Sequence, residues 1–188
     1  MATTATASEV RIRKRRIVER PRLFALLDDT KAPVRMLVAP AGYGKTTLAE
    51  QWVARDGRRS AWFTARSSST DVAALALGIA KSATAIVPDC DARLRTHLRA
   101  LPAPAENVQT LAEILGEDLG KWPADAWLVI DDYHEIAQEP RAEDFAHALS
   151  TASPVQFLIC SRIRPAWVSA KHLMYGDAFE VSQTAMAY

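Results

Sequence analysis

The stretch Ala39-Pro40-Ala41-Gly42-Tyr43-Gly44-Lys45-Thr46 sets two glycines, a lysine and a hydroxyl close together, and Thr47 follows. Such a run suits a phosphate group. Gly42 and Gly44 allow the backbone to turn its N–H groups inward, forming a nest for anionic oxygens. A helix starting at Lys45 would add the partial positive charge of its N-terminus. Lys45 supplies a compact cation for β- and γ-phosphates, Thr46 a hydroxyl ligand for Mg²⁺, and Thr47 a donor to the α-phosphate. This is the P-loop pattern, with Ala39 where the first glycine usually stands. A methyl is tolerable there, where the chain leaves a strand. The candidate nucleotide contacts are therefore Pro40, Ala41, Gly42, Tyr43, Gly44, Lys45, Thr46 and Thr47. The bland alternative is a chance glycine-rich turn.

Two further places carry chemistry. Trp127-Leu128-Val129-Ile130 runs into the adjacent acids Asp131 and Asp132. Buried strands rarely end in paired carboxylates unless something cationic sits there. Asp131 is placed to hold Mg²⁺ through water, and Asp132 to polarise an attacking water; the competing reading is a solvated turn. The run 155–160 ends at Ser161-Arg162, where a guanidinium fork could meet a γ-phosphate and report its presence. Arg164 competes for that role, and a plain surface arginine is the alternative for both.

The elements that must position these residues are legible. Residues 34–39 read as a continuous apolar run, suited to a strand buried on both faces. From Lys45 the pattern turns helical, with Leu48, Trp52 and Val53 on one face, ending near Gly57. Residues 21–29 predict a short helix, 59–65 a second strand, and 71–87 a helix capped by Thr70 and stopped by Pro88. Residues 89–106 are ambiguous, with a possible short helix at 94–98. Then come a helix at 108–119, a strand at 126–130, a helix at 140–149, a strand at 155–160, a helix at 166–175 and a fifth strand at 178–181. Strands alternating with helices imply a parallel sheet covered on both sides, a three-layer α/β fold. In such a sheet, ligands bind at the carboxyl ends of the strands.

At 188 residues with 49% apolar and 24% charged side chains, the chain suits one domain with a real core. A net charge of +1 gives no overall pull towards nucleic acid or anionic lipid. No apolar run approaches the roughly 20 residues a bilayer span needs. Nor does the N-terminus have the order of a signal peptide, so a cytoplasmic setting is expected. Two cysteines, Cys90 and Cys160, suggest neither disulfide framework nor zinc site, and Cys160 reads as a small buried hydrophobe. Residues 1–17 read as a disordered tail with a basic run at 11–16. That run is more often a solvated arm than a nucleic-acid contact. The histidines show no ligand spacing. Tyr133 and His134 could line the site or serve the loop alone.

Taken together, these pieces resemble the nucleotide-binding domain of the STAND class of signalling ATPases, and within it the large LuxR-type, maltose-activator-like transcription regulators. The resemblance covers residues 18–188. It rests on Val18-Glu19-Arg20-Pro21-Arg22-Leu23, the loop from Ala39 to Thr47 with Gln51-Trp52, Ala61-Trp62, Leu128-Val129-Ile130-Asp131-Asp132-Tyr133-His134, and Ser161-Arg162 with Pro165 and Gly176. It implies a sheet in the order 5-1-4-3-2, Arg162 as sensor, and adenine contacts near Val18 and Arg20. It also implies an ATP/ADP switch with Mg²⁺, resting with ADP and able to self-associate with ATP. Downstream regions absent here would bind inducer and DNA, so the chain is expected to be the N-terminal part of a longer regulator. One departure is Phe63-Thr64-Ala65-Arg66-Ser67, where the family usually runs into Leu and acidic residues; it leaves the 66–71 loop without an assigned role.

Three functions stay open on the residues: an ATP-dependent switch with weak, resetting hydrolysis, a P-loop small-molecule kinase, and a non-hydrolysing nucleotide-binding interaction module. The kinase would need an Arg-bearing lid and an acceptor pocket, for which the sequence offers no evident candidate.

Overall fold

The computed structural model describes residues 18–187; the expected tail over 1–17, its basic run at 11–16 and Tyr188 lie outside them. Five strands, β1 (Val34–Val38), β2 (Arg59–Thr64), β3 (Ala126–Asp131), β4 (Gln156–Ser161) and β5 (Ala178–Ser182), form one sheet in the order β2-β3-β4-β1-β5. Every pairing is parallel, as expected. β4 intervenes between β1, which leads into the phosphate loop, and β3, which ends in the acids.

Alternation along each strand assigns the two faces. Leu128 and Ile130 of β3 join Met36 and Ile159 on one side. There they meet α3 (Val72–Ala83), α4 (Ala92–Ala100), α5 (Val108–Asp118) and α6 (Pro140–Ala152) through Leu75, Leu94, Leu111 and Phe145. Trp127 and Val129 face the other way with Leu37, Leu158 and Cys160. That side is covered by α1 (Pro21–Asp29), α2 (Lys45–Arg55) and the short α8 (Gln183–Met186). The central strands β1, β3 and β4 are buried on both faces, which is why they read as apolar runs rather than alternating ones. Gly116 of α5 lets α6 approach closely, because a Cβ there would lie 2.5 Å from the Ala152 carbonyl oxygen.

The run at 34–39 is less uniform than its hydropathy suggests. Arg35 is 8% exposed, and its guanidinium lies 4.4 Å from the Trp127 ring centroid and 5.4 Å from that of Trp52. It donates to the Thr30 carbonyl at 2.6 Å. Burial pushes its pKa down to about 10, so it remains charged at neutral pH, held by ring faces and carbonyls.

Several boundaries move for physical reasons. Asp71, not Thr70, caps α3: its carboxylate accepts the Ala74 N–H at 2.7 Å, while Thr70 closes a 3₁₀ turn, Ser67–Thr70. A carboxylate at a helix N-terminus also complements the dipole. The departing loop at 66–71 is thus the cap and turn that start this helix. The helix stops at Ala83 rather than residue 87, and the ambiguous stretch holds α4. The last crossover helix, α7 (Ala170–Tyr175), starts four residues late. Ala166 spends its N–H on the Glu143 carboxylate instead, and Ser169 takes the capping position.

Candidate functional site

The loop between β1 and α2 has the backbone its glycines foretold. Gly42 and Gly44 both adopt left-handed angles, φ 86° and 72°, which side chains other than glycine rarely tolerate. A Cβ on Gly42 would meet nothing, so conformation rather than crowding demands glycine there. Pro40, Ala41 and Thr47 are exposed around the loop rim, as is Thr46 by overall surface. The Lys45 ammonium lies across the loop, donating to the Ala39 carbonyl at 2.7 Å and the Pro40 carbonyl at 2.9 Å.

Thr46 and Asp131 meet although 85 residues apart. The Thr46 hydroxyl donates to the Asp131 carboxylate at 2.9 Å. Asp131 is buried at the end of β3, and that burial pushes its carboxyl above the ordinary range. The Thr46 hydroxyl and the Asp132 backbone N–H pull it back. Burial likewise lowers the Lys45 ammonium, which feels repulsion from Arg162 and attraction from Asp132 and Asp131. A hydroxyl at the loop rim beside a buried carboxylate is an all-oxygen donor pair of the kind Mg²⁺ takes, so the residues fit that ion. The glycine-turned loop at a helix N-terminus fits a polyphosphate.

Asp132 takes a left-handed turn at φ 54°, and its side chain is half exposed. His134 stands next to it, Nδ1 3.9 Å from the Asp132 carboxylate. Tyr133 instead turns inward and is wholly buried, so of the two residues left open by the sequence, only His134 stays near the acids. Arg162 is exposed just beyond β4. Arg164 is engaged elsewhere, at 2.5 Å from Glu180. Cys160 is buried behind the loop and its thiol is pushed well up by that burial, as befits an apolar filler.

Arg20 sits against the loop, donating to the Tyr43 carbonyl at 3.1 Å and the Met186 carbonyl at 3.4 Å. Val18 is 60% exposed beside it in the chain. The Tyr43 hydroxyl accepts from Gln183 of α8 at 3.0 Å, so the C-terminal turn also touches the loop. Sequence reading missed that contact, because nothing local in 183–186 announces it. It also missed Glu143, which looks like an ordinary acidic residue in the first turn of a helix.

A strand, a glycine-turned loop, a helix-borne Lys-Thr pair and an acid from the third strand now stand in one place. The chain carries a P-loop NTPase-like domain. No family model matches the chain. Over 184 residues it is 28% identical to the HTH-type transcriptional regulator MalT of Yersinia pestis (strain Pestoides F), and equally to that of Yersinia pseudotuberculosis serotype O:3 (strain YPIII). The match covers 94% of this chain and 20% of each relative, so the chain spans about a fifth of the length of the curated relatives it matches. The solved structure of the Aeropyrum pernix ORC1 protein in complex with DNA is a distant likeness. It covers 86% of this chain and 43% of its own, with a TM-score of 0.46 and 15% identity. Among the described residues, the P-loop domain has no helix long and apolar enough to cross a membrane.

Proposed function

We propose that this chain is the ATP/ADP-binding switch module of a bacterial LuxR-type transcriptional regulator. The observation that carries the nucleotide part is the 2.9 Å contact between the Thr46 hydroxyl and the Asp131 carboxylate, made beside the loop. The similarity to HTH-type transcriptional regulators supports the regulatory part. In this reading Pro40, Ala41, Gly42, Tyr43, Gly44 and Thr47 line the phosphates, Lys45 neutralises them, and Thr46 with Asp131 holds Mg²⁺. When bound, Mg²⁺ supplies charge neutralisation between the β- and γ-phosphates. Asp132 orients a water for slow, resetting hydrolysis, and Val18 and Arg20 approach the adenine.

The γ-phosphate then distinguishes two states through Lys45 and Arg162. Moving a two-state equilibrium from about 1:99 to 99:1 takes roughly 5.5 kcal/mol of differential binding. Hydrogen bonds to charged groups contribute about 1.5–3 kcal/mol each, so two such side chains reach that order. ATP-dependent self-association follows as the output, with inducer and DNA bound by other parts of the full regulator, in the cytoplasm.

Calorimetric titration with ADP and ATP, with and without Mg²⁺, tests this reading. Micromolar, adenine-selective, Mg²⁺-assisted binding is expected. A folded chain that ignores both nucleotides, or a Lys45→Ala variant with undiminished ADP affinity, overturns it.

A further inference from the structure

Glu143 is a buried acid with no part in the site as described. It lies in the first turn of α6, 7% exposed, and burial raises its carboxyl above the ordinary glutamate range. Helix α6 does not need it: the helix is capped by Glu139, whose side chain accepts the Arg141 N–H. Packing does not need it either, since an apolar residue would fill the volume without the desolvation cost of a carboxylate.

Its partners lie elsewhere. Both carboxylate oxygens accept the Ala166 N–H, at 3.0 and 3.1 Å. The Tyr133 hydroxyl hydrogen-bonds to the same carboxylate and accepts from the Trp167 indole N–H at 2.8 Å. The Trp167 ring stacks on His147 of α6, with centroids 5.1 Å apart and planes 9° apart. One buried acid thus ties two segments together. Tyr133 stands two residues past Asp131, and Ala166 and Trp167 stand four and five residues past Arg162.

Short-range hydrogen bonds close the remaining gaps. The Ile163 N–H donates to the Ser161 hydroxyl at 3.3 Å, and the Val168 N–H to the Pro165 carbonyl at 3.1 Å. Arg162 therefore projects from a short bridge with one end on β4 and the other on the Glu143–Tyr133–Trp167 chain. Asp131 and Asp132 are joined to that same chain through Tyr133. A shift of either segment must be felt by the other, because a buried, fully paired network loses a whole desolvated group when one bond opens.

We propose that Glu143 is a positioning residue, locking the Arg162 segment to the acidic end of β3 so that sensing of the γ-phosphate and the Mg²⁺-side carboxylates move together. This rests on the nucleotide-switch reading and deepens it. Glu143 touches no nucleotide; it acts through Arg162.

The test is a double-mutant cycle on the whole chain. Dissociation constants for ADP and for a slowly hydrolysed ATP analogue, ATPγS, are measured with Mg²⁺ by calorimetry for wild type, Glu143→Gln, Arg162→Ala and the double variant. In wild type the ratio of the two constants reports γ-phosphate sensing. Glu143→Gln should change that ratio about fivefold while ADP affinity stays within about twofold, and it should add nothing once Arg162 is gone. Tyr133→Phe, which removes only the hydroxyl, should move the ratio the same way and carries the test if Glu143→Gln does not fold. An unchanged ratio in the folded variants overturns the proposal. So do equal losses for both nucleotides, or full additivity with Arg162→Ala, each of which marks a merely structural acid. Wild type that binds neither nucleotide overturns the switch reading and this proposal together, whereas intact discrimination in both variants overturns this one alone.

Discussion

The phosphate loop and the Arg162 segment leave neighbouring strands, β1 and β4, at the same end of the sheet, and the Ala39 N–H even donates to the Ser161 carbonyl at 3.2 Å. They are held by opposite means. The loop is shaped mainly from within, by two left-handed glycines, by the helix that follows, and by a lysine that folds back six residues to the Ala39 carbonyl, with Arg20 and Gln183 only steadying Tyr43 at its edge. The Arg162 segment is shaped from outside, by Glu143 across 23 residues, Tyr133 across 34 and Glu180 across 16. A locally shaped site can be damaged without disturbing the fold. A remotely shaped one couples its position to whatever moves its anchors. That is the arrangement expected if one element holds the phosphates and the other reports on them.

Lys45→Ala gives the largest expected effect and the sharpest form of this contrast. ADP affinity should fall about a hundredfold, the loss of one to two charge-assisted hydrogen bonds, while the melting temperature stays within about 3 °C. Calorimetry and a thermal melt check both. A large drop in melting temperature would mean that the lysine, not the glycines, holds the loop.

Arg162→Ala should be smaller and selective. Affinity for the ATP analogue should fall about tenfold with ADP affinity unchanged. An equal loss of both nucleotides in the same titration would remove the distinction between holding and reporting.

Asp131→Asn should separate function from stability. The folded-state pKa of Asp131 is raised by burial. Its neutral form is therefore favoured on folding, and that contribution is fully present below the unfolded value near 3.8 and lost as pH rises through the folded one. At pH 7 without Mg²⁺ the amide should melt higher than wild type by about 2–4 °C, a gain near 1 kcal/mol. The gain should fade towards pH 4, and Mg²⁺ should no longer improve nucleotide affinity. Melts at both pH values, and titrations with and without Mg²⁺, would expose a carboxylate that stabilises the fold instead.

The smallest effect is expected from Arg164→Ala. Its partner Glu180 is half-buried, but Arg164 itself is exposed to solvent, and pairs open to water contribute about 0–1 kcal/mol. Melting temperature should drop by no more than about 3 °C, and discrimination between nucleotides should hold. A loss of discrimination would move part of the anchoring from Glu143 to the Arg164–Glu180 pair.

Sequence alone determined the strands, their alternation with helices and the phosphate loop, because each rests on contiguous residues. Val34, Met36, Leu37 and Val38 are apolar on both faces, Gly42 and Gly44 can take left-handed angles, and Lys45-Thr46 opens a helix. The acids at the end of β3 were legible for the same reason: Asp131-Asp132 directly follows an apolar run. What lay outside that reach depended on partners distant in the chain. Arg35 in the apolar run is explained only once Trp52 and Trp127 are brought to its sides. The late start of α7 follows from a backbone N–H taken by Glu143. Asp71 rather than Thr70 capping α3 was a nearer miss, a choice between two adjacent residues with cap-forming side chains. Tertiary structure alone decided that Tyr133 turns inward while His134 stays beside Asp132, and that Gln183 and Arg20 reach Tyr43. A hydrogen bond between residues tens of positions apart leaves no periodicity or local composition to read; it exists only when the sheet has set its strands side by side.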